Sequence, residues 1–388
     1  MHQIKTLLQR NTLIIVLLLA AFCIIAVAAA ILFMPQLMHT ASAPKAFNAE
    51  KAFKSVNFVG TNNDVSALEN MLADTVRNYS IEDGFNLIEE GVKEQKVSND
   101  QCHTLLHYLG HYAYAKYQND YDALINVVQG SSCIGGYVHG IEAEIVLSSP
   151  SVIGDLKSFC SFEEQHHLNN GPCYHGAGHA AAELYSYDVH KALALCDSLK
   201  NGPENDLSNC YRGVFSQVSS ITTGFDGDTG LAVNKIAIKG LDPEHPIQYC
   251  EGFSDTYRSS CESQLMGILI SRTNMDHWID MCLDPSFSEH VKEICINITS
   301  VVYIRSSLSF ADSAILPQAA VNALPERLRI IAMMGTMEAF EGYYLDKVEK
   351  DWKPFCQEFT LQSDKDYCID GFTRTVNGEE PWMQFDIR

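Results

Sequence analysis

Nine of the fourteen histidines fall between His103 and His190, and six of these recur at helix-turn spacing. The segments are CHTLLHYLGH (102–111), YVHGIEAE (137–144) and CYHGAGHAAAE (173–183). Side chains four apart project from one side of a helix. His103, His107 and His111 therefore form one stripe, and His175, His179 and Glu183 another. His139 and His179 each lie six residues after a cysteine, which puts them at equivalent places on neighbouring helices if the helices stack in register. Neutral imidazole is a ligand for zinc, copper or iron, and a carboxylate adds a hard oxygen. Two histidines from one helix and one from a neighbour make a three-nitrogen site with an open position, as a catalytic metal needs. Two H-x-x-G-H helices face to face (107–111 and 175–179) would instead hold two ions, bridged by Glu142 or Glu183. In either arrangement His103, His107, His111, His139, His175 and His179 are the metal ligands. Glu142 and Glu183 are the candidates for ligand or general base. Tyr108, Tyr137, Tyr174 and Glu142 are the groups placed to orient the rings. The competing expectation is a core in which histidines bond to backbone or tyrosine without metal. Neither H-E-x-x-H nor C-x-x-C-H occurs, so zincin protease chemistry and covalent c-type haem are not indicated. His166 and His167 read as solvent-exposed residues of a polar loop, with a place flanking the site as the alternative, and His190, His245, His277 and His290 read as ordinary.

The elements that position these residues are read from the cysteines. Ten of the thirteen form five close pairs: Cys160/Cys173, Cys196/Cys210, Cys250/Cys261, Cys282/Cys295 and Cys356/Cys368. Each pair encloses 10 to 13 residues, and Cys102 and Cys133 are left to close a longer loop. No C-x-x-C is present, so zinc-ribbon and thiol-redox readings lose ground against disulfides in an oxidising compartment. The second cysteine of a pair tends to open an apolar helix with glycine three residues on, as in CIGG (133–136), CYHG (173–176), CYRG (210–213) and CIDG (368–371). Opening cysteines are 40, 37, 51 and 34 residues apart, and the last interval of 73 holds a cysteine-free AMMG (332–335) at its middle. The 51-residue interval contains an insertion over residues 222–246. Apolar spacing predicts helices over 189–199, 207–219, 288–306 and 325–344, with Pro325 in the first turn. A period of about 37 residues is the mark of stacked helix pairs. The expected fold is all-α: a disulfide-stapled helical-repeat solenoid of α-hairpins. Each bridge would join the last turn of one helix to the first turn of the next. The layout resembles cysteine-stapled helical repeats of the tetratricopeptide class. The resemblance is one of architecture, and no functional residue carries over from it.

Residues 12–34 (TLIIVLLLAAFCIIAVAAAILFM) carry no charge and are long enough to span a bilayer. Lys5 and Arg10 precede the run and the next basic residue is Lys45. The positive-inside rule then puts the N-terminus in the cytoplasm and the rest outside. The run is longer than the apolar core of a signal peptide, and Pro44 obstructs cleavage after ASA (41–43). The expected organisation is a cytoplasmic tail (1–11), a single transmembrane anchor (12–34), a stalk (35–60), histidine-rich helical repeats (61–245) and C-terminal helical repeats (246–388). With 48 acidic against 27 basic residues, a net charge of -21 argues against nucleic acid as a partner. Asn78 and Asn297 match the glycosylation acceptor pattern, of which only Asn78 is an acceptable site because Asn297 falls in an apolar helix start, and residues 226–230 hint at a calcium loop without the rest of an EF-hand. The function expected is a membrane-anchored extracytoplasmic protein with a transition-metal site, acting as a metal-dependent hydrolase or oxidoreductase. The alternatives are a non-catalytic scaffold for another envelope protein or peptide, and a metal carrier.

Overall fold

The computed structural model describes residues 47–54, 62–94, 96–97, 99–126, 134–149, 151–166, 173–199, 204–224, 234–274, 277–305, 318–344 and 352–376. Among the described residues the protein is all-helical, with no strand. Residues 49–388 form one compact unit. The charge-free run 12–34 lies outside the described residues. Among those described, no helix is long and apolar enough to cross a membrane.

The unit opens with α1 (Ala49–Lys54), α2 (Asn62–Asn78) and α3 (Ile81–Lys93). The first of these falls in the expected stalk, yet it packs against α3. Local chemistry starts α3. Ser80 is extended, its hydroxyl oxygen accepts the Asp83 N–H at 3.0 Å, and its O–H donates to the Asp83 carboxylate at 2.9 Å. The first bond is a serine N-cap, and the second ties the Asp83 carboxylate back to the capping hydroxyl. Ile81, Phe85 and Ile88 then bury one face.

From α4 onward the chain alternates. The even-numbered helices are α4 (Asn99–Tyr117), α6 (Ile134–Ser148), α8 (His175–Leu184), α10 (Glu204–Thr223), α12 (Asp255–Arg272), α14 (Glu289–Arg305), α16 (Glu326–Tyr344) and α18 (Gln362–Val376). Each packs on the next in chain order. The odd-numbered helices connect them: α5 (Tyr121–Asn126), α7 (Val152–His166), α9 (Val189–Ser198), α11 (Pro246–Cys250), α13 (Trp278–Cys282), α15 (Gln318–Ala323) and α17 (Lys353–Gln357). In α9 the buried residues are Val189, Ala192, Leu193 and Cys196, one stripe of a 3.6-residue period, and Asp188 caps its start. The helices expected over 189–199, 207–219 and 288–306 are α9, α10 and α14. In the fourth, Pro325 precedes the first helical residue and its carbonyl accepts the Arg329 N–H at 3.0 Å, so it caps α16 rather than occupying its first turn.

All five close cysteine pairs are disulfides, with Cα–Cα separations of 5.3–5.8 Å. They join α7, α9, α11, α13 and α17 to the entry or early turns of α8, α10, α12, α14 and α18. Cys102 is also disulfide-bonded, and Cys133 lies outside the described residues. The AMMG segment sits in α16 as a repeat without a staple. Its Gly335 is pressed against the backbone of Asn297 in α14, and Ala332, Met333 and Met334 are buried there. The insertion expected over 222–246 corresponds to the stretch between α10 and α11, whose described part (234–245) is irregular.

Candidate metal centre

Five imidazoles converge where α4, α6 and α8 meet. The approach is possible because the facing backbones touch. A Cβ at Gly136, Gly140, Gly176 or Gly213 would collide with the carbonyl oxygen of His103, His107, His139 or His175, in that order. The histidines therefore sit beside the contact seam, each next to a position that carries no side chain. The seam also sets the register. His139 and His175 occupy matching places, since their carbonyls meet Gly176 and Gly213. His179, which shares the cysteine spacing of His139, is one helical turn further along.

On α4, His103 and His107 bring their Nε2 atoms to 3.1 Å. On α8, His175 and His179 do the same at 3.2 Å. Two nitrogens bound to one tetrahedral zinc at about 2.0–2.1 Å each would be about 3.3 Å apart. Both pairs are thus already at a separation that one ion could span. His139 of α6 lies between them, its ring centroid 5.1 Å from His103, 5.4 Å from His107 and 4.9 Å from His175. The ring is closed by His107 and His179, 5.9 Å apart. One ligand nitrogen each from His103, His107 and His139 can be chosen so that all three lie within 4.8 Å of one another. His107, His139 and His179 are buried. Burial, followed by the neighbouring imidazoles with His175 foremost, pushes the His139 pKa well below its ordinary value. Burial, then His179 and Arg212, does the same to His175. Both rings are neutral at pH 7 and keep a lone pair for a metal.

One side chain orients a ring of the cluster. Gln217 of α10 places its side-chain oxygen 3.1 Å from His179 Nδ1. If that nitrogen carries the hydrogen, Nε2 is left as the ligand atom. Sequence reasoning missed Gln217. Its only signal was position: it follows Cys210 by seven residues, close to the six that separate Cys173 from His179. Of the tyrosines expected in this role, Tyr137 is engaged elsewhere. The Tyr137 hydroxyl donates to the Leu124 carbonyl at 2.8 Å. Tyr174 is the left-handed residue before α8, with φ 74°. Tyr108 lies half-buried on α4.

The remaining candidates are placed differently. Successive residues at i, i+4 rotate by about 40° around the axis, so a third member of a stripe turns away by about 80°. His111 accordingly leaves the cluster, and its Nδ1 lies 3.0 Å from the Glu144 carboxylate of α6 at a partly exposed edge. By the same rotation Glu183 is exposed near the end of α8. Glu142 is fully buried and caps α8 across the helix interface. Its two oxygens accept the Tyr174 and Gly176 N–H groups at 3.0 and 2.9 Å. This substitutes for a side-chain cap within α8, where Tyr174 supplies none. Burial and then the Glu163 carboxyl push the Glu142 pKa well up, against the pull of the backbone N–H groups. Oxygens of these two acids and the sulfurs of Cys160 and Cys173 also lie within 4.8 Å of one another, but those sulfurs form a disulfide and offer no thiolate. His166 ends α7, exposed, with Nδ1 2.8 Å from the Phe162 carbonyl. Residues 167 and 226–230 lie outside the described residues. No family model matches the chain, and comparisons with curated proteins and with solved structures return no match.

Proposed function

We propose that the chain is a membrane-anchored, extracytoplasmic helical-repeat solenoid whose histidine cluster holds a transition metal. The observation that carries the metal reading is the mutual approach of the His103, His107 and His139 nitrogens to within 4.8 Å. An all-nitrogen set of neutral imidazoles suits zinc, copper or iron over calcium or magnesium. The anchor is argued from the charge-free run 12–34 and from Lys5 and Arg10 before it. The five disulfides fit an oxidising compartment on the far side of that anchor. Glu142 is committed to capping α8 and Glu183 faces solvent, which favours metal binding or redox chemistry over hydrolysis with a carboxylate base. Elemental analysis of the purified full-length protein tests the reading. At least one equivalent of zinc, copper or iron is expected, and the ion held through His103 and His107 should be lost in His107→Ala. A wild-type protein that takes up none of the three, even when they are supplied, would sink it.

A further inference from the structure

We propose that His139 bridges two transition-metal ions through its two ring nitrogens, one ion held by His103 and His107 of α4 and the other by His175 and His179 of α8. The inference rests on the metal reading above and specifies its stoichiometry and bridging group.

Three observations lead to it. The cluster divides into two like pairs, each an i, i+4 pair on its own helix with Nε2 atoms converged to 3.1 and 3.2 Å. His139 lies between the pairs, within 5.1 and 5.4 Å of one and 4.9 Å of the nearer ring of the other, measured between centroids. Its Nδ1 and Nε2 are both buried, and neither has a hydrogen-bond partner among the described residues. A neutral imidazole has one lone pair and one N–H, and a buried polar atom without a partner is costly. The four flanking rings meet that demand in pairs and His139 does not. One metal ion would satisfy one of its nitrogens and leave the other stranded. Two ions satisfy both. The first binds the lone pair. The second takes the place of the N–H proton, which leaves to solvent, so that an imidazolate anion joins two divalent cations. The carboxylates that would otherwise bridge are not placed to do so. Both Glu142 oxygens accept backbone N–H groups, and Glu183 is exposed.

Copper(II) is the probe, because an imidazolate bridge couples its unpaired electrons. Metal-free full-length protein is titrated with copper(II), followed by bound copper and by electron paramagnetic resonance. Saturation at two equivalents is expected, with the signal rising over the first equivalent and collapsing over the second. In His139→Ala, checked for unchanged helicity, bound copper should keep its full signal. The wild-type titration decides the matter even if that variant does not fold. Saturation at one equivalent overturns the bridge and leaves the metal site standing. Two equivalents with full signal overturn it as well. Uptake of no copper, zinc or iron overturns the metal reading itself.

Discussion

Gln217 reaches from α10 to His179 at 3.1 Å, and it illustrates how the chemistry of this site depends on side chains that ligate nothing. Groups that fix the tautomer of a metal-binding histidine typically change affinity by about 10–100-fold when lost. Gln217→Leu is therefore expected to weaken metal binding by that factor while the number of ions at saturation stays the same. A competition titration against a chelator of known affinity measures this, and unaltered affinity would remove Gln217 from the site. Protonation acts on the same residues. The folded-state pKa of His139 is depressed by burial and by its neighbours, so the unfolded chain binds more protons than the folded one below the unfolded value of about 6.5. The stability contributed by a neutral His139 is present above that pH and is lost as pH falls toward the folded value. Glu142, raised in the fold, acts in the opposite sense, but it is common to wild type and variant. The stability of metal-free wild type relative to metal-free His139→Asn should therefore decline from pH 7.5 to pH 5 in denaturant unfolding. A difference that does not change with pH would mean that His139 titrates normally.

At the scale of the helix, α4, α6, α8 and α10 are held at backbone contact by glycine. Gly176 faces the His139 carbonyl with no room for a Cβ. Gly176→Ala should push α8 away from α6 and destabilise the protein by about 1–3 kcal/mol, the usual range for overpacking. Because the seam and the site are one structure, metal affinity should fall with it. Gly154, in α7, has open space where its Cβ would be. Gly154→Ala should stabilise by about 0.5–1 kcal/mol through the lost backbone entropy of glycine in a helix. Thermal or denaturant unfolding of the two variants gives opposite signs if the seam is as tight as its geometry indicates. The Glu142 cap belongs to this scale too, since a residue of α6 closes the open N–H groups of α8 and so ties the angle between the two helices to the start of the second.

In the molecule as a whole, five hand-overs from a connecting helix to the next stacking helix are stapled, and the one from α15 to α16 is not. A loop of 10 to 13 residues corresponds to a stabilisation of about 2–4 kcal/mol per bridge in the chain-entropy account. Peptide mapping without reductant should return the five local bridges, with Cys102 linked to Cys133 as a sixth. Recovery of mostly free thiols would count against both the staples and the oxidising compartment. Reduction should lower the unfolding midpoint strongly. The stretch least affected should be α15–α16, where no cysteine is present and packing rests on Val321, Leu324, Leu328 and Phe340 with the buried Arg329–Asp364 ion pair at 2.7 Å. Hydrogen exchange with and without reductant measures that difference.

The period of the cysteines and of the glycines that follow them was legible in the sequence, because a disulfide across a short loop and a helix seam both impose fixed spacings. The same holds for the apolar stripe of α9. It also holds for the histidine pairs, since i, i+4 proximity is a property of one helix. Which pairs face each other was decided by tertiary structure. The H-x-x-G-H motif pointed to His107 and His111, but the axis rotates side chains by about 40° per four residues, and α4 presents His103 and His107 instead. Glu142 looked like a ligand or a base and is a cap, because the N-terminus of a helix distant in sequence lies against it. Gln217 could be recognised only once α10 was packed on α8, for a lone glutamine has no spacing to betray it. The place of His139 between two pairs likewise belongs to the packing of three helices and to no local pattern.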